Sequence, residues 1–199
     1  MKTIDFYFDF SSPYGYLASE RIDELAARHG YTVAWHPILL GAVFKITGAV
    51  PLIEPRLKGS YYRRDFARSA RFHGVPFRLP QPFPVATVAA ARAFLWLQDR
   101  DARQAHAFAH LCFRAYFVDG LNIAEPEQVL ALAERMGVDR GALAGALGGA
   151  EIKERLRTEV DGAIARGVCG SPFFIVGDEP FWGVDRLPQL ERWLQTGGF

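Results

Sequence analysis

Residues 4–17 constrain the fold of this chain more than any other stretch, because a strand pattern in them runs straight into a helix start. Phenylalanine recurs at every second position over residues 6–10, as in a half-buried strand. Ser11 or Ser12 can then cap a helix, and Pro13 suits its first turn because proline lacks the N–H that stays unpaired there. Free N–H groups and the positive dipole end at such a point favour an anion or a thiolate, although an ordinary cap has the same pattern.

The remaining periodicities predict an α/β fold in which a long run of helices interrupts a small sheet. A helix over 13–29 and a strand over 31–37 complete a β-α-β unit with parallel strands. Helices are then predicted over residues 41–46, 61–73, 86–100, 102–118, 126–136, 140–147 and 152–166. Strands over 173–176 and 180–182 and a helix over 185–194 follow. This order predicts a thioredoxin-like core, β-α-β then β-β-α, in residues 1–40 and 167–199, with an all-helical insertion domain in 41–166.

The composition excludes several classes of protein. Half of the 199 residues are hydrophobic and 23% are charged, which is typical of a globular chain. The formal net charge of +1 lacks the basic excess of a nucleic-acid-binding protein, and no apolar run is long enough to span a bilayer. Asp5 and Asp9 interrupt the N-terminal apolar stretch, which does not fit a signal peptide. We therefore expect a cytoplasmic enzyme with a small-molecule substrate and no membrane or nucleic-acid partner.

The cysteines and histidines predict no metal site and no disulfide framework. Cys112 and Cys169 lack the spacing of either, and each fits a small buried hydrophobe. Cys169 precedes Pro172 by three residues, so a reactive role near a site stays open beside simple packing. His106 and His110 stand at helical spacing but have no acidic residue or third ligand close in sequence.

Two motifs carry a resemblance to known proteins. Ser12-Pro13-Tyr14-Gly15 occupies the place where thiol–disulfide oxidoreductases of the thioredoxin superfamily carry Cys-x-x-Cys, and Ser171-Pro172 occupies the place of their cis-proline loop. With residues 8–14, 37–45 and 181–187, the whole chain resembles the 2-hydroxychromene-2-carboxylate isomerases and the related kappa-class glutathione transferases. The resemblance implies a thioredoxin fold with a helical insertion, and a homodimer.

The two positions that carry sulfur in the oxidoreductases are Ser12 and Gly15 here, so dithiol exchange is not available. A serine hydroxyl at a helix N-terminus can instead donate to an external thiolate and, with the helix dipole, lower the pKa of that thiol. The resemblance implies that the thiol is glutathione. It further implies that the reaction converts 2-hydroxychromene-2-carboxylate to trans-o-hydroxybenzylidenepyruvate, a step of aromatic catabolism. Ser12 is preferred to Ser11 as the catalytic residue because it directly precedes Pro13, as the reactive serine does in the family.

The resemblance also implies a set of binding residues. Glutathione is expected to contact Ser12, Ser171, Pro172, Trp182, Gly183, Val184 and Asp185. Asp185 suits the ammonium group of the γ-glutamyl end, and it can also cap the last helix. Lys45 and Arg56 align with substrate-binding positions, although both also fit as surface cations.

Two alternative functions stay open. A kappa-like glutathione transferase or peroxidase uses the same thiolate but releases a conjugate or an oxidised product. A redox-inactive thioredoxin-like binding module has no affinity for glutathione. The isomerases have polar substrate-binding residues just before their long helix. Residues 82–87 occupy that place in this chain and depart from the polar pattern, so the sequence leaves the identity of the substrate open.

Overall fold

In this computed structural model, which describes residues 2–199, the N-terminal strand lies inside a four-stranded sheet. The strands are β1 (Thr3–Phe8), β2 (Thr32–Pro37), β3 (Phe173–Val176) and β4 (Glu179–Trp182), in the order β2-β1-β3-β4. Strand β2 runs parallel to β1, whereas β3 is antiparallel to both β1 and β4. The helix α1 (Pro13–Arg28) connects the parallel pair, since such a pair needs a crossover. The predicted order of strands is confirmed.

Within the described residues, the chain between β2 and β3 forms helices and no strand. These helices are α2 (Leu40–Thr47), α3 (Gly59–His73), α4 (Val88–Gln98), α5 (Ala102–Phe117), α6 (Pro126–Glu134), α7 (Arg140–Leu147) and α8 (Ala150–Ala165). All of them were predicted, with ends that differ by no more than two residues. The division of the chain into a core and an insertion domain stays a prediction.

The end of the chain differs from the sequence-based prediction. Residues Val184–Arg186 form a short 3-10 turn, and the last helix, α9, covers Leu187–Thr196 rather than 185–194. Pro188 lies in the first turn of α9, where proline is tolerated, so the helix begins only just before it. In the part of the chain that the structure describes, no helix is long and apolar enough to cross a membrane.

An aromatic cluster joins the sheet to the helical segment. Phe8, at the end of β1, is fully buried, and its ring centroid lies 5.4 Å from that of Phe94 on α4 and 5.7 Å from that of Phe113 on α5. Trp35 on β2 and Phe10 pack edge-on against the same ring. Edge-to-face aromatic contacts add to the free energy gained by burial. The end of β1 is therefore held between the sheet and two helices.

A charged contact also joins α1 to α5. The carboxylate of Glu20 accepts from Arg114 Nη2 at 2.8 Å and lies 3.4 Å from His110 Nδ1. The hydrogen bond with His110 and the contacts with Arg114 outweigh partial burial and lower the pKa of Glu20 from 4.5 to about 2. His110 and His106 both pack against the ring of Trp35, at centroid distances of 5.3 and 4.9 Å. Among residues 2–199, no three His, Cys, Asp or Glu side chains are placed to hold a metal ion.

Replacement of Phe8 by alanine is expected to lower the free energy of unfolding by about 3–5 kcal/mol, because it opens a cavity between the sheet and two helices. Urea titration at neutral pH measures this change. Phe72→Ala is the control, since Phe72 is 84% exposed, and we expect a change within about 0.5 kcal/mol. Equal effects of the two substitutions would contradict the role given to the aromatic cluster.

Replacement of Glu20 by glutamine tests the charged contact through pH. The pKa of Glu20 is depressed in the folded state, so its ionised form stabilises the fold above the ordinary pKa and this contribution is lost between pH 4.5 and about 2. Glu20→Gln is expected to lower the free energy of unfolding by about 2 kcal/mol at pH 7 and to flatten its fall across that acidic range. Urea titrations at several pH values measure both effects. Glu24→Gln, on the same helix and 69% exposed in its side chain, is the control and should change the free energy of unfolding at pH 7 by no more than about 0.5 kcal/mol.

Candidate functional site

The start of α1 is capped by Ser12. Its Oγ accepts a hydrogen bond from the N–H of Gly15 at 3.0 Å, and Pro13 occupies the first helical position. Ser12 is buried, with 4% of its surface exposed. The neighbouring Ser11 is not the cap, because its N–H and its hydroxyl both donate to Asp9 Oδ1, at 2.7 and 2.8 Å. Ser12 therefore caps α1, whereas Ser11 binds the carboxylate of Asp9.

The loop before β3 meets this helix start. The peptide bond between Ser171 and Pro172 is cis. Ser12 Oγ donates to the carbonyl oxygen of Ser171 at 2.9 Å, and the N–H of Asp9 donates to Ser171 Oγ at 3.0 Å. The end of β1, the start of α1 and the loop before β3 thus converge, although Ser12 and Ser171 lie 159 positions apart in the sequence.

Gly15 fits this arrangement because it has no side chain. A Cβ atom at this position would lie 2.7 Å from Ser171 Oγ and 3.1 Å from Ser12 Cβ, which is closer than real Cβ contacts normally are. Position 15 is the place of the second cysteine in a Cys-x-x-Cys motif. The site therefore lacks the second sulfur, and a side chain at position 15 would have to displace the Ser171 hydroxyl.

Asp9 is the residue of this region that sequence reasoning missed. Its buried carboxylate accepts four hydrogen bonds: two from Ser11, one from Thr87 Oγ1 at 3.1 Å and one from the N–H of Leu40 at 2.7 Å. Burial raises the pKa of Asp9, and these donors oppose the rise by favouring the carboxylate. A lone acidic residue between two phenylalanines at a strand end was the available signal, since a charge is buried only where it is paired or hydrogen-bonded.

Strand β4 brings the segment 182–185 beside the cis-proline loop. The N–H of Gly183 donates to the carbonyl oxygen of Pro172 at 3.0 Å, and Gly183 has a φ of +111°, which other residues rarely adopt. Trp182 is 59% exposed and its indole lies against Gly170, where a Cβ would collide with it. Val184 is buried, so its side chain is not available to a polar ligand.

Asp185 does not cap the last helix, so that part of the sequence-based prediction is wrong. It lies within the 3-10 turn, its carboxylate pairs with Arg186 at 2.9 Å, and α9 starts without a side-chain cap. The carboxylate faces solvent, with 68% of the side chain exposed. It is therefore accessible to a cationic group.

The two predicted substrate-binding cations lie outside the contacts around Ser12. Lys45 is in the last turn of α2, whose first residue, Leu40, is held by Asp9. Arg56 lies in the segment between α2 and α3. Both side chains are exposed, and over residues 2–199 neither forms an ion pair. Helix α2 connects Lys45 to the site, whereas no described hydrogen bond connects Arg56 to it.

The two cysteines show no sign of activation. Burial raises the pKa of Cys112, which lies in the core of α5, and also that of the half-buried Cys169. A reactive cysteine needs a thiolate at neutral pH, and burial disfavours it. Simple packing accounts for both side chains.

Comparisons of the sequence and of the structure with known proteins agree on the family of this chain. A family model described as a DSBA-like thioredoxin domain matches residues 3–195. The 2-hydroxychromene-2-carboxylate isomerase of Pseudomonas putida is 34% identical over 192 residues, which cover 94% of this chain and 92% of that protein. A solved structure of a 2-hydroxychromene-2-carboxylate isomerase superposes with a TM-score of 0.87 at 32% identity, over 97% of this chain and 94% of the other. Glutathione S-transferase kappa 2 of Caenorhabditis elegans is 28% identical over 207 residues, 97% of this chain and 92% of that protein. The predicted thioredoxin-like fold with its helical insertion is confirmed.

Replacement of Gly15 by alanine tests the close packing at the helix start. We expect the free energy of unfolding to fall by about 1–3 kcal/mol, because the added methyl group pushes against Ser171 and Ser12. Gly41→Ala in α2 is the matched control, since its Cβ would meet no atom of the described residues within 4 Å, and a gain of up to about 1 kcal/mol is expected there. Urea titration of both variants measures these changes in the free energy of unfolding. A Gly15→Ala protein as stable as the Gly41→Ala protein would show that the site has room for a side chain.

Proposed function

Because the chain belongs to the 2-hydroxychromene-2-carboxylate isomerase family of DsbA-like thioredoxin domains, we propose that it is a glutathione-dependent isomerase. The proposed reaction converts 2-hydroxychromene-2-carboxylate to trans-o-hydroxybenzylidenepyruvate. One observation carries the proposal: a buried serine hydroxyl stands at the start of α1, beside the cis-proline loop, where a redox enzyme of this fold needs a thiol. The reactive sulfur must then come from a second molecule.

The residues around Ser12 fit glutathione. The start of α1 offers a hydroxyl and the positive end of the helix dipole to a thiolate. Trp182, with an exposed indole, and Asp185, with an exposed carboxylate, flank Gly183 in the sequence, and the N–H of Gly183 donates to the carbonyl oxygen of Pro172. A carboxylate there suits the ammonium group of a γ-glutamyl residue. The kappa-class relative, named as a glutathione S-transferase, supports the same cosubstrate.

Ser12 is the residue proposed to stabilise the glutathione thiolate. When bound, glutathione supplies the thiolate nucleophile that adds to the conjugated carbon of the substrate and leaves again after the bond rotates. Ser12 Oγ–H now donates to the carbonyl of Ser171, so it must exchange this bond to donate to a thiolate. Each hydrogen bond donated to the charged form lowers the pKa of the thiol. Lys45 on α2, and Arg56 in the segment between α2 and α3, are the cations proposed to hold the substrate carboxylate.

The kappa-like transferase or peroxidase is the second candidate, supported by a relative that matches almost the whole chain. Both reactions use the same thiolate, but they differ in product balance. An isomerase regenerates free glutathione in every turnover, whereas a transferase or peroxidase consumes it. We also propose a homodimer, following the same family resemblance, and sedimentation velocity of the purified protein tests it.

Calorimetry with glutathione, followed by an isomerase assay, tests the proposed function. The unmodified protein is expected to bind glutathione, and Ser12→Ala is expected to lower the isomerase rate about 100-fold, because one donor to the developing charge is lost. The same variant loses a helix cap worth about 1 kcal/mol of stability.

Ser19→Ala is the matched control, since Ser19 is a buried serine on the same helix whose hydroxyl donates to the Tyr16 carbonyl at 2.7 Å. It should keep both binding and rate. No heat with glutathione would favour the binding module, and stoichiometric loss of glutathione would favour the transferase.

A further inference from the structure

We propose that the hydroxyl of Ser171 is a second catalytic group, which donates a hydrogen bond to the glutathione thiolate beside Ser12. This inference rests on the proposed function and assigns the side chain of Ser171, whereas the family resemblance concerns only its place in the cis-proline loop. No proton leaves Ser171 in this arrangement, since a hydrogen bond to sulfur stabilises the charge without transfer.

The hydroxyl proton of Ser12 already forms a hydrogen bond within the protein. Ser12 Oγ donates it to the carbonyl oxygen of Ser171 at 2.9 Å and accepts from the N–H of Gly15. A hydroxyl group has one proton, so Ser12 has none left to donate. A thiolate that receives a hydrogen bond from Ser12 must therefore displace an existing one.

The proton of Ser171 is free. Ser171 Oγ accepts from the N–H of Asp9 at 3.0 Å, and within residues 2–199 it donates to no acceptor. The bond from Asp9 fixes the position of the oxygen but leaves its proton able to rotate toward a ligand. Ser171 can thus donate to sulfur without losing any bond that it now makes.

The two hydroxyl oxygens lie close to each other at the start of α1. A Cβ built on Gly15 would lie 2.7 Å from Ser171 Oγ and 3.3 Å from Ser12 Oγ, so both oxygens are near the same helical position. That position is too close to Ser171 Oγ to hold the sulfur itself. A sulfur atom bound farther out, beside the positive end of α1, is proposed to receive a hydrogen bond from both hydroxyls.

Three ionisable groups lie within three residues of Ser12 or Ser171 in the sequence. The carboxylate of Asp9 lies at the end of β1 and disfavours a thiolate, but it is held among its own four donors. On α1, Tyr14 donates to Asp65 of α3, and burial, together with this bond, raises the pKa of Tyr14. Burial raises the pKa of Cys169, in the loop before Pro172. The hydroxyls of Ser12 and Ser171 and the positive end of α1 are therefore the groups proposed to favour the thiolate here.

The test is the thiol pKa of bound glutathione, read from the ultraviolet absorbance of the thiolate at saturating glutathione. Ser171→Thr and Ser171→Val form an isosteric pair that differs in the hydroxyl alone. We expect the valine variant to raise the thiol pKa by about one pH unit relative to the threonine variant, since one hydrogen bond to a charged group is lost. Protein thiols do not interfere, because the pKa of Cys112 and that of Cys169 are both raised.

Ser19→Ala is the control for the loss of a buried serine hydroxyl that lies outside the site. Ser19 is on α1, and its hydroxyl donates to the carbonyl oxygen of Tyr16 at 2.7 Å. It should leave the thiol pKa unchanged. Urea titration of each variant records any loss of stability separately.

Two results would overturn the inference. If the Ser171 pair gives the same thiol pKa while Ser12→Ala raises it, Ser171 only positions Asp9, and the proposed function stands. If the unmodified protein does not bind glutathione, or if Ser12→Ala leaves the thiol pKa as it is, the proposed function fails and the role of Ser171 fails with it.

Discussion

The buried carboxylate of Asp9 is the interaction on which the geometry of the site depends. A charge removed from water costs several kcal/mol unless hydrogen bonds replace its hydration. Asp9 obtains four of them from three separate segments: the turn at Ser11, the first residue of α2 and Thr87 before α4. Its own N–H positions the hydroxyl of Ser171. One residue thus sets the relative placement of the sheet, the helical segment and the cis-proline loop.

The local parts of this arrangement could be predicted from the sequence. Alternating phenylalanines define β1, and a serine followed by proline defines the start of α1, because strand periodicity and helix capping act over a few residues. The contacts of Asp9 could not be predicted in the same way, since Thr87 lies 78 positions away. The prediction that Asp185 caps the last helix failed for a local reason, because a 3-10 turn delays the start of α9 beyond it.

The aromatic cluster and the polar site lie on opposite faces of the chain at the end of β1. Phe8 faces α4 and α5 within the core, whereas the next residue, Asp9, takes its hydrogen bonds from the turn and the helix starts. Alternation along a strand places neighbours on opposite faces, so the same two residues fix the fold and the site. The helical segment is therefore attached at the place where the proposed chemistry occurs, and the position of Lys45, on α2, depends on that attachment.

The close contact between Gly15 and Ser171 has a consequence for how such a site can change over time. A cysteine introduced at position 12 creates one thiol, and a second cysteine at position 15 then meets the Ser171 hydroxyl. A pair of thiols here therefore requires that Ser171, on a distant segment of the chain, move its side chain or be replaced as well. The cis-proline loop thus limits which side chains the start of α1 can carry.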